Sequence, residues 1–549
     1  MCLADASFLE NAFDDRHGRF GNSDCSDSPR SLPNMTSSPD TRRTRLDRID
    51  ASLGLVLFVC ASAILIPLQQ RELWGDGWGL YRLLENPSVP WWRLHYHAAY
   101  LPIARILGWI ASPSIPLTGW TLASSLPVAA GLMLNFWSLR LLRVPRPLAF
   151  WIAILAGLTP AMVMFGTLLE VHGLQFAGAS AAILASILAL RVATVSKVIV
   201  AHAAAFLCAS LTHATSPVLI PGWASWCTLL IFRERRHTDP KPNEVTVWFK
   251  SAIGASIAVA IAAAVVELSW DKSRSGSSSL SVMSRIVAIA LDSGASRRFF
   301  EEWILVYGWA LVPLFILGIL TALAWARGNT AVMSKRVALM WLVWMAVPTS
   351  ILNIWSVPNL GGYSASLVPM VAIGIGLAIK PLTTPRTQAR WTLLFLTASV
   401  LQVLHSAQAV ERRSAAFNAR VPAVFEEAVR ALPEGGTLIT LLPTDYSIGA
   451  FKPGWRQANV TLLMEQNPTG EFLRAPRGWV IKEVVRFGGP VALDRRFVDF
   501  VLPPGTAIAE QKEAFLATLD KYYDFASIDK TNPNVVILRP NAAAEKLEW

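Results

Sequence analysis

The chain has 549 residues, of which 53% are hydrophobic and only 16% charged, where a soluble globular protein carries roughly 25% charged residues. A net charge of +11 does not describe a groove for nucleic acid, because the basic residues stand in short clusters between apolar segments, as topology-setting charges do. Composition thus excludes a soluble enzyme and a nucleic-acid binder, and the 22 Trp suit a membrane–water interface, where Trp is enriched.

Residues 1–49 are rich in Ser, Asp, Arg, Asn and Pro, and read as a disordered cytoplasmic leader without the apolar core of a cleavable signal. Met35 opens MTSSPDTRRTRLDRID, which reads like a natural start and would make the preceding residues a start-site artefact. The first apolar run is Ala51–Leu68, preceded by Arg42, Arg43, Arg45 and Arg48. By the positive-inside rule its N-terminal side is cytoplasmic and Gln69–His97 lies outside. Residues 98–111 contain Arg105 and are too short to span, so they are expected to lie in the interface.

Further spans are expected at 117–142, 148–168, 172–190, 198–212, 216–232, 247–267, 303–326, 337–356, 363–380 and 391–409, which gives about eleven in all. Every link then placed inside is basic: Arg140, Arg143 and Arg146; Arg191 and Lys197; Arg233, Arg235, Arg236 and Lys241; Arg327, Lys335 and Arg336; Lys380, Arg386 and Arg390. The odd number of spans puts the tail outside. The outer link Ser269–Glu302 also carries Lys272, Arg274, Arg285, Arg297 and Arg298, which longer translocated loops tolerate. Residues 50–410 thus form the transmembrane domain and 411–549 a soluble extracytoplasmic domain. The tail alternates helix-like FEEAVRALPEGG and KEAFLATLDKYYDFA with β-capable TLITLLP, GWVIKEVVRF, GPVALD and NVVILRP, the pattern of a small α/β fold. None of the five cysteines follows Cys227, so no disulfide closes the tail, and no CxxC or Cys/His cluster suggests zinc.

A carrier buries ionisable groups in the middle of its spans, yet here polar residues gather at the outer ends. They are Asp76 within GDGW, Glu85, His95 and His97 in the first loop; Glu170 and His172 in the second; Thr212 and His213; Arg297 and Arg298; and Tyr363 after a pair of glycines. Each has a plain alternative. Asp76 between glycines makes a turn or a cap, His95 and His97 bind metal or sit at the interface, and the arginines anchor at headgroup level. Glu170 interrupts an apolar hairpin and must find water or a partner.

GDGWGLYRLLE, FGTLLEVHGLQF, LTHATSPVLIPG, GGYSASLVP and PTDYSIGAF resemble, in that order, segments of the GT-C superfamily of membrane glycosyltransferases. The nearest likeness is to bacterial multi-pass proteins related to protein O-mannosyltransferases. There the first-loop acidic motif is matched by Asp76, and the acid–Val–aromatic segment of the next outer link by Glu170, with His172 in place of Tyr. The resemblance implies an inverting transfer of sugar from a polyprenyl-phosphate donor to a hydroxyl of a protein, lipid or glycan, at the outer face of a bacterial inner membrane. It implies Asp76 as base, Glu170 as support to acceptor or sugar, and Arg297 or Arg298 on the phosphate. Glu85, His95, His97, His172, His213 and Tyr363 complete a substrate-binding set, with a divalent metal as an open cofactor question. The competing readings are a flippase or transporter of a lipid-linked glycan, and a non-catalytic envelope assembly protein.

Overall fold

The computed structural model describes residues 47–73, 77–85, 99–111, 116–189, 195–212, 304, 307–313, 316, 365, 368–418, 423–440, 448–452, 454–459, 484–499, 507–524 and 534–545. The expected spans at 216–232, 247–267 and 337–356 lie outside these residues, as does most of 303–326.

The first helix, α1 (Arg48–Leu65), starts from Asp47, whose side chain accepts the Asp50 N–H at 2.8 Å. Such an acidic cap satisfies an orphan amide and suits the positive end of the helix. Next come α2 (Gly77–Glu85), α3 (Tyr100–Ala111), α4 (Pro116–Leu141), α5 (Arg146–Gly157), α6 (Pro160–Thr167), α7 (His172–Ala189), α8 (Val195–Thr212), α9 (Val368–Ile379) and α10 (Pro385–Asn418). Three described helices, at Arg48–Leu65, Leu117–Leu141 and Pro385–Ala415, are long and apolar enough to cross a membrane. The bent pair α5–α6 makes a fourth crossing if taken as one span. With Val56, Val59, Leu393 and Leu404 exposed on their outer faces, the chain is an integral membrane protein.

The expected span 148–168 is not one straight helix: α5 and α6 meet at 66°. Pro160 lacks an N–H and its ring clashes with the preceding turn, so the ladder stops there. Thr159 restarts it by capping Met162 N–H. The stretch 98–111, expected to lie in the interface, holds the helix α3, Tyr100–Ala111. It buries Tyr100, Leu101, Ala104 and Gly108 while exposing Ile106, Trp109 and Ile110, so its apolar surface exceeds what the bundle covers. Small residues bring the spans close. The Phe176 ring of α7 lies directly on Gly131 of α4, leaving no room for a Cβ.

At one end of the bundle Asp50, almost fully buried, accepts from Arg140 Nε at 2.8 Å and Arg146 Nε at 2.7 Å. Arg146 also pairs with Asp47, and Lys380 Nζ donates to Leu142 O at 3.0 Å. The start of α1, the end of α4, the start of α5 and the end of α9 therefore share this end. Of the three arginines in this link, Arg140 and Arg146 are held in ion pairs.

α10 runs on to Asn418, through the boundary expected at 410. Beyond it lie α11 (Ala423–Ala431), β1 (Gly436–Thr440), α12 (Ile448–Phe451), β2 (Trp455–Asn459), β3 (Val491–Asp494), α13 (Arg495–Asp499), α14 (Ala507–Tyr522), β4 (Tyr523–Asp524), β5 (Val535–Pro540) and α15 (Ala542–Glu545). The strands form one sheet in the order β2-β1-β3-β5-β4, with β1 parallel to both neighbours and β5 antiparallel to β3 and β4. Successive side chains alternate faces. Ile439, Val491, Leu493 and Leu538 meet Phe515 and Leu519 of α14 on one face, while Leu438, Ala492 and Ile537 meet Val424 and Phe425 of α11 on the other.

One tail expectation changes, and one strand was not expected. GWVIKEVVRF ends in a 3-10 turn at Val485–Phe487, and Gly488 and Gly489, with φ of +62° and +81°, swing the chain into β3 in a conformation only glycine adopts cheaply. The sequence WRQAN, polar and without alternation, is β2, an edge strand that has only one neighbour to satisfy.

Candidate functional site

The end of the bundle opposite Asp50 gathers buried polar groups around a stretch of non-helical backbone, Leu168–Val171, between α6 and α7. Backbone polar groups at such a depth must be paired internally, and α4 supplies the partners. Ser125 Oγ donates to Gly166 O at 2.6 Å. Ser124 Oγ donates to Glu170 O at 2.7 Å and accepts from Glu170 N–H at 3.1 Å. The Tyr100 hydroxyl stands 3.0 Å from the same Oγ, and because that oxygen's one proton goes to Glu170 O, the phenol is the donor. Burial drives the Tyr100 phenol well above its ordinary range, and the Glu170 charge adds to the rise. Tyr100 therefore keeps its proton.

Glu170 is 2% exposed, and its Oε2 accepts the Val171 N–H at 3.0 Å. His172 Nε2 faces the same oxygen at 4.0 Å. The other ring nitrogen, Nδ1, meets Gln175 Oε1 at 2.9 Å, and the ring packs edge-on to Phe165 at 4.7 Å. With Gln175 accepting, Nδ1 carries the proton. Nε2 is left to face Glu170, as an acceptor in the neutral ring or a second donor in the imidazolium.

The root of the first loop is stitched to this break. Gln70 N–H donates to Thr167 O and Gln70 Nε2 to Thr167 Oγ1, both at 2.8 Å, and Gln69 Nε2 reaches Ser125 Oγ at 3.2 Å. Glu72, nearly buried, takes Arg413 of α10 in a bidentate pair at 2.6 and 2.8 Å. α2 then begins at Gly77, where an added Cβ would stand 2.8 Å from Leu169 O. Arg105 of α3 donates to Leu83 O at 2.9 Å near the far end of α2, and its partial burial lowers the guanidinium's proton affinity. The start of α3 meets the end of α8 through Ala99 N–H and Leu211 O at 3.2 Å.

Of the residues singled out from sequence, Glu170 and His172 are brought together, and Glu85 ends α2. Asp76, His95, His97, His213, Arg297, Arg298 and Tyr363 lie outside the described residues. Gly77, the neighbour in sequence of Asp76, lies against Leu169, and Thr212, the neighbour of His213, lies against Gly178 of α7. Sequence reading missed Tyr100, Ser124, Ser125, Glu72 and Arg413. The adjacent serines in an apolar span were the available signal, because a buried hydroxyl pair needs acceptors. Among the described residues no three of His, Cys, Asp and Glu cluster as metal ligands.

No known family's sequence profile and no curated protein matches the chain. Among solved structures it is similar to ArnT from Cupriavidus metallidurans in the apo state, with a TM-score of 0.49 and 14% identity over 89% of this chain and 98% of that one. The same ArnT bound to undecaprenyl phosphate gives 0.49 and 13% over the same shares. The Archaeoglobus fulgidus oligosaccharyltransferase gives 0.40 and 16%, over 85% of this chain and 71% of that one.

Proposed function

We propose that the protein is a membrane glycosyltransferase that moves a sugar from a polyprenyl-phosphate-linked donor to an acceptor hydroxyl at the outer face of the membrane. One observation carries the reading: the first outer loop packs on the second through the residues adjoining its two candidate carboxylates. Gly77, next to Asp76, touches Leu169, next to Glu170. Around that contact the structure rigidifies Glu170 through Ser124 and Tyr100, as a group that must hold a fixed orientation requires.

In this reading Asp76 takes the proton of the acceptor hydroxyl as its oxygen attacks the anomeric carbon. The new C–O bond forms while the bond from that carbon to the phosphate oxygen breaks, and its electron pair leaves on the polyprenyl phosphate. Attack from the opposite side inverts the anomeric configuration. Arg297 or Arg298 meets the charge growing on the phosphate. Glu170, with His172, supports the acceptor or sugar, and Glu85, His95, His97, His213 and Tyr363 line the substrates. Undecaprenyl phosphate, bound by the similar ArnT, is a lipid of the donor's class.

A flippase predicts ionisable groups within the spans. The buried carboxylates of the described helices and loops before residue 418, Asp50, Glu72 and Glu170, all stand at span ends or in links. The test is transfer of labelled sugar from a polyprenyl-phosphate donor, in membranes carrying each variant at matched expression. Asp76→Asn is expected to lose on the order of 10²–10⁴ in rate and Glu170→Gln to lose less. Near-normal transfer by Asp76→Asn removes its role as base.

A further inference from the structure

We propose that the end of the last described span, together with the chain beyond it, is a positioning element for the first outer loop, acting through Arg413 on Glu72 and through Gly449 on Tyr81. The inference deepens the function proposed above and rests on that reading only for its kinetic arm.

α2 has nine residues, and helices shorter than about 12 residues are marginal on their own in water. Its place is therefore set by what holds it. Gly77 abuts Leu169, the Tyr81 ring stands edge-on to Trp120 at 5.6 Å, and Arg105 takes Leu83 O. Two further holds come from beyond residue 410.

The first acts on the root of the loop. Glu72 is 7% exposed, and the planar fork of Arg413 covers both of its oxygens. Arg413 sits near the C-terminal end of α10, five residues before Asn418. Without it a buried carboxylate loses its counter-charge at the point where α1 hands the chain to the loop. The second acts on α2 itself. Gly449 of α12 lies so close to the Tyr81 hydroxyl that a methyl group there would overlap it, and that methyl group would also stand 2.7 Å from Trp455 O. α12 is in turn fastened to the sheet, because Ile448 N–H donates to Gln457 Oε1 of β2 at 2.9 Å. Trp455, at the start of β2, is nearly fully buried. The sheet thus reaches the first loop through a position that only glycine fills, and the loop bears Asp76 one residue before α2.

The experiment is amide hydrogen exchange on the full-length protein in detergent, read by peptide. Arg413→Gln is expected to speed exchange in 77–85 by about tenfold while 121–141 keeps its protection. Glu72→Gln is expected to do the same. The double variant is expected to be no faster than either single one, because both remove one interaction. Gly449→Ala, which leaves that pair intact, is expected to speed exchange in the same peptide and serves if Arg413→Gln fails to fold. In the kinetic arm the variants are expected to lose kcat with the KM for donor unchanged, as a misplaced group does. Unchanged exchange in 77–85 for folded Arg413→Gln and Gly449→Ala overturns the proposal, and so does acceleration spread equally over 121–141. If exchange changes as expected but neither parent nor variants transfer sugar, the clamp stands and the glycosyltransferase reading falls.

Discussion

Ser124 shows how much one hydroxyl decides here. It bonds both backbone groups of Glu170 and accepts a hydrogen bond from the Tyr100 hydroxyl, so Ser124→Ala removes this partner from two buried backbone groups. Each such loss costs about 1–3 kcal/mol, and the thermal midpoint of the purified protein should fall by several degrees. An unchanged midpoint would show that water or a shifted backbone replaces the hydroxyl. Tyr523 makes the opposite case. Its hydroxyl is buried and without a partner, and burial pushes the phenol up to about 12. The folded state therefore holds a proton that the unfolded chain releases near pH 10. The sign follows: stability is full below pH 10 and declines as the pH climbs from there towards 12. Tyr523→Phe should be neutral or stabilising at pH 8, and should flatten the loss of thermal midpoint between pH 9 and pH 11. A mutant as alkali-sensitive as the parent would contradict this. Neither residue was legible in the sequence as a functional position. Ser124 stands beside Ser125 in an otherwise apolar span and Tyr523 in KYYDFA, and burial without a partner is a property of packing. The burial and pairing of Glu170 were legible, because a carboxylate in an apolar hairpin must be accounted for.

At the scale of elements, apolar length finds most of the described helices to within a few residues, since a span and its water-facing links differ so sharply in composition. It misses the 66° break in α5–α6, because hydropathy summed along 148–168 is blind to direction, although Pro160 stands in plain view. It also misses β2, whose edge position demands no apolar face. The Asp50 cluster joins α1, α4 and α5. Asp50→Asn leaves two arginines facing an uncharged amide at the bundle end, and the partly exposed guanidinia recover some hydration. The expected cost is about 2–3 kcal/mol, at or below the range for breaking a buried pair. It would be read as a lower midpoint in detergent, with orientation retained because Arg42, Arg43, Arg45 and Arg48 still flank the first span. A variant that inverts would make Asp50 part of the topology signal.

For the whole molecule, the described helices sort their ends consistently. The starts of α1 and α5 and the ends of α4 and α9 lie with Asp50, while the ends of α1 and α6 and the starts of α3 and α7 lie with Glu170. Arg413, near the end of α10, joins the second group through Glu72. The basic links predict that the Asp50 end is cytoplasmic. A reporter active only outside the cytoplasm should then work when fused after 404–420 and fail at Arg235, and the reverse pattern would turn the protein over. Hydropathy and charge make this layout readable, but not the pair that closes it, since nothing local to Glu72 names a partner 341 residues away. That separation has a consequence for biogenesis. At roughly 5–20 residues per second, the ribosome needs about 20–70 s after making Glu72 to deliver Arg413. With the Asp50 end cytoplasmic, as the basic links predict, the first loop would cross the membrane and wait through that interval without its counter-charge, and the rim would be completed only when synthesis reaches the end of the last described span. A nascent chain stalled before Arg413 should therefore expose its first loop to protease, and a chain released past the sheet should not.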